Sequence, residues 1–304
     1  MIALIAGTGA LPAVLIARLR ARGDTPVVCA LHGFVPEVPD GVPTIGFRLE
    51  TLGSLLQTLK DMGVTRICMA GAIRRPVIDP ALIDDATRPL VPILMDALGK
   101  GDDGALRAMI GVFEDRGIEV VSAHGIAPEL LARAGIPTLC KPEAGHVQDA
   151  AVAEDVIAQM GKADQGQACI VGAGRVLAKE DQAGTDAMLD TLATTADPLA
   201  TDPLSWMMSS ASDIIGGAAD WLSNSKQAAP GSGAILFKAP KPDQDRRADL
   251  PVIGPDTARR ICEVGLDGIV IEAGAVMVLD QDTVVATLDQ AGKFLWIRPH
   301  GGAA

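Results

Sequence analysis

Residues 1–31, "MIALIAGTGALPAVLIARLRARGDTPVVCAL", decide how the first half of the chain is read. Ile2 to Ala6 form a short apolar run, which predicts a buried strand. A Gly-x-Gly turn follows, and then "ALPAVLIARLRARG" carries apolar residues at helical spacing until it stops at a glycine. Val27 to Leu31 is a second apolar run. Strand, helix and strand in that order require a parallel pair joined by a crossover helix. The pattern continues, with Ile67 to Ala70 and Val120 to Ala123 as further strands. "ETLGSLLQTLKDMG" and "GALRAMIGVFEDRG" read as helices between them. The expected architecture is an α/β Rossmann-like domain over 1–142. "CKPEAGHVQD", 140–149, interrupts the alternation and reads as a linker.

Beyond it the rhythm changes, and 143–304 is expected to be a mixed α+β domain. "QACIVGAGRVLAKE" predicts two strands around a Gly-Ala-Gly turn. "GTDAMLDTLA" opens a helix with Thr185 or Asp186 near its N-cap. Short strands follow at "AILFK", "GIVIEA", "AVMVLD" and "FLWI", with a helix from about Pro255 to Val264. Residues 194–233 are rich in Ala, Ser, Pro and Gly and read as an insertion. Its stretch 203–223 sets Trp206, Met207, Ile214, Ile215, Trp221 and Leu222 among small polar residues, as a contact with a membrane surface or a fold-back onto the protein would.

Composition narrows the function classes. A 304-residue chain with 48% hydrophobic residues can bury two cores. No apolar run approaches the ~18 residues of a membrane span, and the start lacks the basic region of a signal peptide. A net charge of -12 argues against nucleic acid as a partner. The five cysteines are dispersed, mostly in apolar runs, and read as buried thiols of a reducing compartment. The four histidines are scattered, so a soft-ligand metal site is not expected and a hard ion on carboxylates is.

Several segments could carry chemistry. Gly7, Gly9 and Ala10 form the turn between the first strand and helix, where backbone can approach a phosphate. Pro12 stands where a dinucleotide fingerprint needs its third glycine, which disfavours NAD. Arg74 and Arg75 in "GAIRRPVID" lie just past the third expected strand, at the ligand-binding edge of such a sheet. They are phosphate contacts there or solvated surface charges. Asp102 and Asp103 begin a helix and either cap it or face a ligand. "KEDQAGTDAML" places Glu180, Asp181 and Asp186 around Gly184 and Thr185, a turn that caps a helix or holds magnesium or a sugar hydroxyl.

The densest constellation is "FKAPKPDQDRRADLPVIGP", ending at Pro255. Lys238 and Lys241 alternate with prolines, and Gln244, Asp245, Arg246, Arg247 and Asp249 follow before a stiff "LPVIGP". Diphosphate hydrolysis needs cations for phosphate oxygens, carboxylates for a metal, and a carboxylate to orient water. Lys238 suits the first task, with Lys241, Gln244, Gly184 and Thr185 as further substrate contacts. Glu180, Asp186 and Asp249 are the oxygen donors for a divalent ion, magnesium or alternatively manganese.

Read in order, "IAGTGALP", "GAIRRP", "GKGDDGALR", "GQACIVGAGRVLAKEDQAGTDAML", "KAPKPDQDRRADLPVIGPDT" and "GLDGIVIEAG" resemble the UDP-2,3-diacylglucosamine pyrophosphatase family of lipid A biosynthesis, in its alphaproteobacterial form. The resemblance spans nearly the whole chain. It implies magnesium-dependent hydrolysis of UDP-2,3-diacylglucosamine to UMP and 2,3-diacylglucosamine 1-phosphate. It also implies Asp249 as the key catalytic acid, with Arg247 as the arginine of the same block. Such an enzyme would be cytoplasmic and meet its lipid transiently at the cytoplasmic leaflet of the inner membrane, and a homodimer is an admissible assembly. The alternatives from other classes are a nucleotide- or lipid-binding module without turnover, and a nucleotide-sugar transferase.

Overall fold

The computed structural model describes residues 1–74, 76–99, 101–163, 165–195, 231–242 and 244–300. Of the insertion expected at about 194–233, residues 196–230 therefore lie outside the described residues, as does the whole 203–223 stretch. Contacts divide the chain into two compact units. The first is Met1–Leu131 with Asp243–Leu250, and the second is Ala132–Pro242 with Pro251–Ala304.

The first unit is built on β1 (Ile2–Ala6), β2 (Val27–Leu31), β3 (Thr44–Phe47), β4 (Arg66–Ala70) and β5 (Glu119–Val120). Every pairing is parallel, in the order β3-β2-β1-β4-β5. Helix α1 (Leu11–Ala21) connects β1 to β2, α2 (Leu52–Asp61) connects β3 to β4, and α3 (Val91–Leu98) and α4 (Gly101–Glu114) lie between β4 and β5. The strand order reverses between β1 and β4, which are neighbours in the sheet. Open parallel sheets keep their ligand crevice at such a point. On one face Ile5, Cys29, Ile67 and Val120 pack with Leu55 and Leu59 of α2 and Phe113 of α4. Fully burying side chains of this size contributes about 1.5–3 kcal/mol each.

Two local readings change here. β3 was not expected, because "TIGF" is too short to show a period. The fourth expected strand is only Glu119–Val120, and Ala123 already begins helix α5 (Ala123–Ile126). Ser122 ends the strand because its Oγ accepts the Gly125 N–H (3.1 Å) and caps that helix.

In the second unit the stretch read as a linker runs directly into α6 (Ala144–Lys162). His146 fixes its start. Nδ1 accepts the Glu143 N–H (3.0 Å), which leaves the ring proton on Nε2, and that nitrogen meets Asp267 Oδ2 at 3.2 Å. Five strands follow the order β12-β10-β8-β6-β7, where β6 is Ala168–Gly172, β7 Arg175–Lys179, β8 Ala234–Lys238, β10 Gly268–Glu272 and β12 Phe294–Arg298. β12, β10 and β8 are parallel, while β6 runs antiparallel to both β8 and β7. The sheet is mixed, and with its helices it makes the α+β unit that was expected. A separate parallel pair joins β9 (Val252–Ile253) to β11 (Met277–Val278).

Side chains alternate across this sheet with period two. Cys169, Val171, Ile235, Phe237, Val270, Phe294 and Trp296 face α6. Ile170, Leu236, Ile269, Ile271, Leu295 and Ile297 face the other way. That second face is covered by α7 (Thr185–Thr195), α8 (Pro255–Val264) and α9 (Gln281–Gln290), through Leu189, Ile261 and Leu288.

Candidate active site

The charged segment 244–250 belongs to the first unit although its flanks belong to the second. Asp245 shapes it. Its Oδ1 accepts the Arg247 backbone N–H (3.0 Å) and Nε–H (3.1 Å), and Oδ2 accepts from Nη2 (2.9 Å). The N–H groups of Ala248 and Asp249 donate back to the Asp245 carbonyl (3.2 and 3.3 Å), which closes a tight turn. Arg247 Nη1 then donates to Glu114 Oε1 on α4 (2.7 Å). Asp103 Oδ1 accepts the Asp245 N–H (3.4 Å), while its Oδ2 takes Nε (2.8 Å) and Nη2 (2.7 Å) of Arg107. Ala248 packs against the same core as α4. The Arg247 hydrogen bonds outweigh burial and hold the Asp245 carboxyl below its ordinary range. The Arg247 guanidinium is correspondingly raised, chiefly by Asp245.

Asp249 closes this turn, and its Oδ2 accepts from Gln244 Nε2. The acid is thus presented by a short clasped loop instead of a free strand. Arg247, expected in the chemistry, is spent on the clasp. Asp103 serves the same docking, and Asp102 lies beside it on the first turn of α4.

The loops after β1 and β4 are zipped together. Gly7 N–H donates to the Ala70 carbonyl (2.8 Å), Thr8 N–H to that of Ala72 (3.0 Å), and Ala72 N–H to that of Thr8 (2.9 Å). A Cβ on Gly7 would sit 2.4 Å from the Ala72 carbonyl oxygen. Gly71, at φ +87°, would bring one to 2.7 Å from the Thr8 oxygen. Only glycine permits this approach. Gly9 and Ala10 follow at the α1 N-terminus, where Ala10 supplies no side-chain cap and the first turn has no acid. Exposed Arg74 leaves the same sheet edge, and Arg75 lies outside the described residues.

His124, which looked isolated in the sequence, stands just past β5. Its Nε2 lies 3.2 Å from Ser122 Oγ, and its buried Nδ1 has no hydrogen-bond partner among the described residues. Burial first, and then Arg246 of the clasped segment, lower its pKa. Neither His124 nor Glu114 carried a motif. Both meet the segment only through the fold.

In the second unit, Lys238 ends the central strand β8 and is 8% exposed. Its Nζ donates to Thr185 Oγ1 (2.8 Å), and Thr185 Oγ1 donates to Glu180 Oε1 (2.5 Å). Glu180 Oε2 accepts the Gln167 N–H (2.6 Å). Gly184, at φ +90°, turns the chain into α7. Asp186, one residue further along than Thr185, faces Arg260 of α8 (3.5 Å), which also pairs with Asp190. Lys241 follows β8. A Cβ on Gly161 of α6 would lie 3.3 Å from its Cβ and 2.6 Å from Pro242 Cδ, so this turn rests on α6.

Among the described residues, no three His, Cys, Asp or Glu side chains are grouped as a metal cage. Magnesium does not need one, since it is commonly held by one or two carboxylates and completed by substrate phosphates and water.

Two family models cover this chain: the LpxI N-terminal domain over residues 1–130 and the LpxI C-terminal domain over residues 133–296. The chain belongs to the LpxI family. The two LpxI models meet where the contact units divide, at Leu131/Ala132. The UDP-2,3-diacylglucosamine pyrophosphatase LpxI of Caulobacter vibrioides is 33% identical over 292 residues, covering 96% of this chain and 95% of that protein. The clasped segment lies within the span of the LpxI C-terminal model, yet it packs with the residues of the N-terminal one.

Proposed function

We propose that this chain is a hydrolase that cleaves UDP-2,3-diacylglucosamine to UMP and 2,3-diacylglucosamine 1-phosphate in lipid A biosynthesis. The similarity to the Caulobacter enzyme over 96% of the chain carries the reading. The β3-β2-β1-β4-β5 order supports a Rossmann-like first unit with a nucleotide-phosphate crevice at the β1/β4 edge. There the uncapped α1 N-terminus, the Gly7–Ala10 turn and Arg74 suit an anionic group.

Asp249 is the acid that acts at the diphosphate. Gln244 orients its carboxylate, and the Asp245–Arg247–Glu114 clasp fixes the loop that carries it. Magnesium would be held by Asp249 together with diphosphate oxygens, and would neutralise phosphate charge as the bond breaks. Glu180 and Asp186 are less suited to hold it, because each oxygen of Glu180 already accepts a hydrogen bond and Asp186 is paired with Arg260. Lys238 supplies a cation for a phosphate oxygen. Among the described residues no helix is long and apolar enough to cross a membrane. Contact with the lipid's leaflet would be peripheral, from the cytoplasmic side.

The test is incubation of the purified chain with UDP-2,3-diacylglucosamine and magnesium, followed by phosphorus NMR. The diphosphate pair should give way to two phosphomonoester signals. Substrate that is bound and left intact would instead indicate a binding module, and transfer to a second acceptor would indicate a transferase.

A further inference from the structure

A buried lysine keeps its charge only if its surroundings answer it. Lys238 is flanked on both sides by sheet, with its backbone in register with Ala168 of β6 and Ile271 of β10. The acid that answers its ammonium is Glu180, reached through one hydroxyl. The proton count of this chain is fixed. Thr185 has a single O–H, which goes to Glu180 Oε1 at 2.5 Å, so its oxygen can only accept from Lys238 Nζ at 2.8 Å. The Gln167 N–H, at 2.6 Å, holds the other carboxylate oxygen. Every link is directional. Lys238 uses one of its three N–H bonds on Thr185.

Space has been cleared for this arrangement. A Cβ on Gly166 would fall 2.6 Å from Glu180 Cγ and 2.7 Å from Glu180 Cβ. Glu180 is itself 8% exposed. Such a carboxylate, oriented by a backbone N–H and a hydroxyl, is built to aim something else.

We propose that Thr185 and Glu180 are positioning residues for Lys238: the Glu180–Thr185–Lys238 chain aims the ammonium's remaining N–H donors at an anionic phosphate oxygen of the substrate. The inference rests on the diphosphate-hydrolysis reading, and it gives Glu180 a structural-electrostatic task in place of metal ligation. The chain sets where the charge sits as the transition state forms, so its loss falls on kcat more than on KM. A misplacement of about 1 Å costs on the order of a hundredfold.

The experiment is steady-state hydrolysis of UDP-2,3-diacylglucosamine by the full chain carrying Thr185→Val, Thr185→Ser or Glu180→Gln, each beside its melting temperature. Thr185→Val removes both links while keeping volume, and Thr185→Ser keeps the hydroxyl. Thr185→Val and Glu180→Gln should lower kcat by about ten- to a hundredfold with KM changed far less. Thr185→Ser should recover most of the rate. A Thr185→Val protein that melts normally and keeps wild-type kcat overturns the chain, and so does Thr185→Ser as impaired as Thr185→Val. If Thr185→Val does not fold, Glu180→Gln decides on the same terms. Wild-type protein that leaves the substrate intact overturns the hydrolysis reading itself, which separates the two failures.

Discussion

Arg247 reaches Glu114 across 133 positions of sequence, with Nη1 2.7 Å from Oε1, while two of its other nitrogens hold Asp245. One guanidinium thus ties the Asp249 loop to α4. The Arg247 and Glu114 side chains are 45% and 43% exposed, so their pair stabilises the fold by no more than ~1 kcal/mol. Its value lies in placement. Arg247→Ala and Glu114→Gln should each shift denaturant unfolding by less than ~1 kcal/mol and lower kcat by about tenfold or more. A double-mutant cycle on kcat should show strong coupling between the two positions. Additive effects would separate Arg247 from the clasp. The Asp245 carboxyl is depressed below its ordinary value of 3.8, so its contribution is complete above that value and is lost as pH falls through the lower folded one. The clasp should therefore survive neutral and mildly acidic pH, and open only below about 4.

Asp249 should matter to turnover and hardly at all to folding. Asp249→Ala should retain the wild-type melting temperature and bind substrate while losing nearly all product formation. Gln244→Ala keeps the carboxylate and removes one bond that orients it, and should give an intermediate rate. Near-normal turnover by Asp249→Ala, measured by release of UMP, would remove this residue from the chemistry.

Metal removal tests a separate point. EDTA should abolish hydrolysis, and added magnesium or manganese should restore it. If Asp249 alone among the expected ligands holds the ion, Asp186→Asn should leave the magnesium dependence unshifted, because Asp186 faces Arg260. A large rise in the magnesium required by Asp186→Asn would return that residue to the metal.

The cysteines give an internal check on the cores. Burial pushes the thiols of Cys29, Cys68 and Cys169 up to about 12, whereas Cys140 is exposed. A thiol reagent at neutral pH should label Cys140 quickly and the partly buried Cys262 slowly. The other three should react only after unfolding. Rapid labelling of all five in the native protein would contradict these cores.

Much of the fold was legible because the apolar runs were long or cleanly alternating. Ile2–Ala6, Val27–Leu31, Ala234–Lys238 and the Pro255–Val264 helix stand where the periodicity placed them. The failures have physical causes. Thr44–Phe47 is an edge strand with one buried residue, so no run announces it. The 140–149 stretch looks like a linker until His146 bonds Glu143 and Asp267 and thereby starts a helix. One local block of sequence carries Lys238, Gln244, Asp245, Arg247 and Asp249, and a reading of the sequence can group these residues. The remote partners of that block, Glu114 and His124, carry no such signal. Nor could the sequence show that Arg247 is engaged in docking, or that Thr185 joins Lys238 to Glu180.

The zipped β1 and β4 loops allow a prediction that separates strain from function. Gly7→Ala would drive a methyl to 2.4 Å from the Ala72 carbonyl oxygen, a backbone atom with no rotamer to yield. The loops must part, which breaks the paired Thr8 and Ala72 hydrogen bonds and displaces Arg74. Overpacking of this kind costs about 1–3 kcal/mol. Gly9→Ala meets nothing within 4 Å, so its cost is confined to the backbone, which holds φ at +94° and penalises a side chain by about 1–2 kcal/mol. Gly7→Ala should therefore lower stability at least as much as Gly9→Ala in urea unfolding. Affinity for UMP should follow a different order if the α1 N-terminus takes a phosphate. A methyl on Gly9 points into the open space a phosphate would fill, so Gly9→Ala should weaken UMP binding more than its stability loss accounts for. Calorimetric titration of UMP into both variants, below their unfolding transitions, reads this directly. Unchanged UMP affinity in both, with stability lowered as stated, would leave these glycines a purely structural role and place the nucleotide elsewhere.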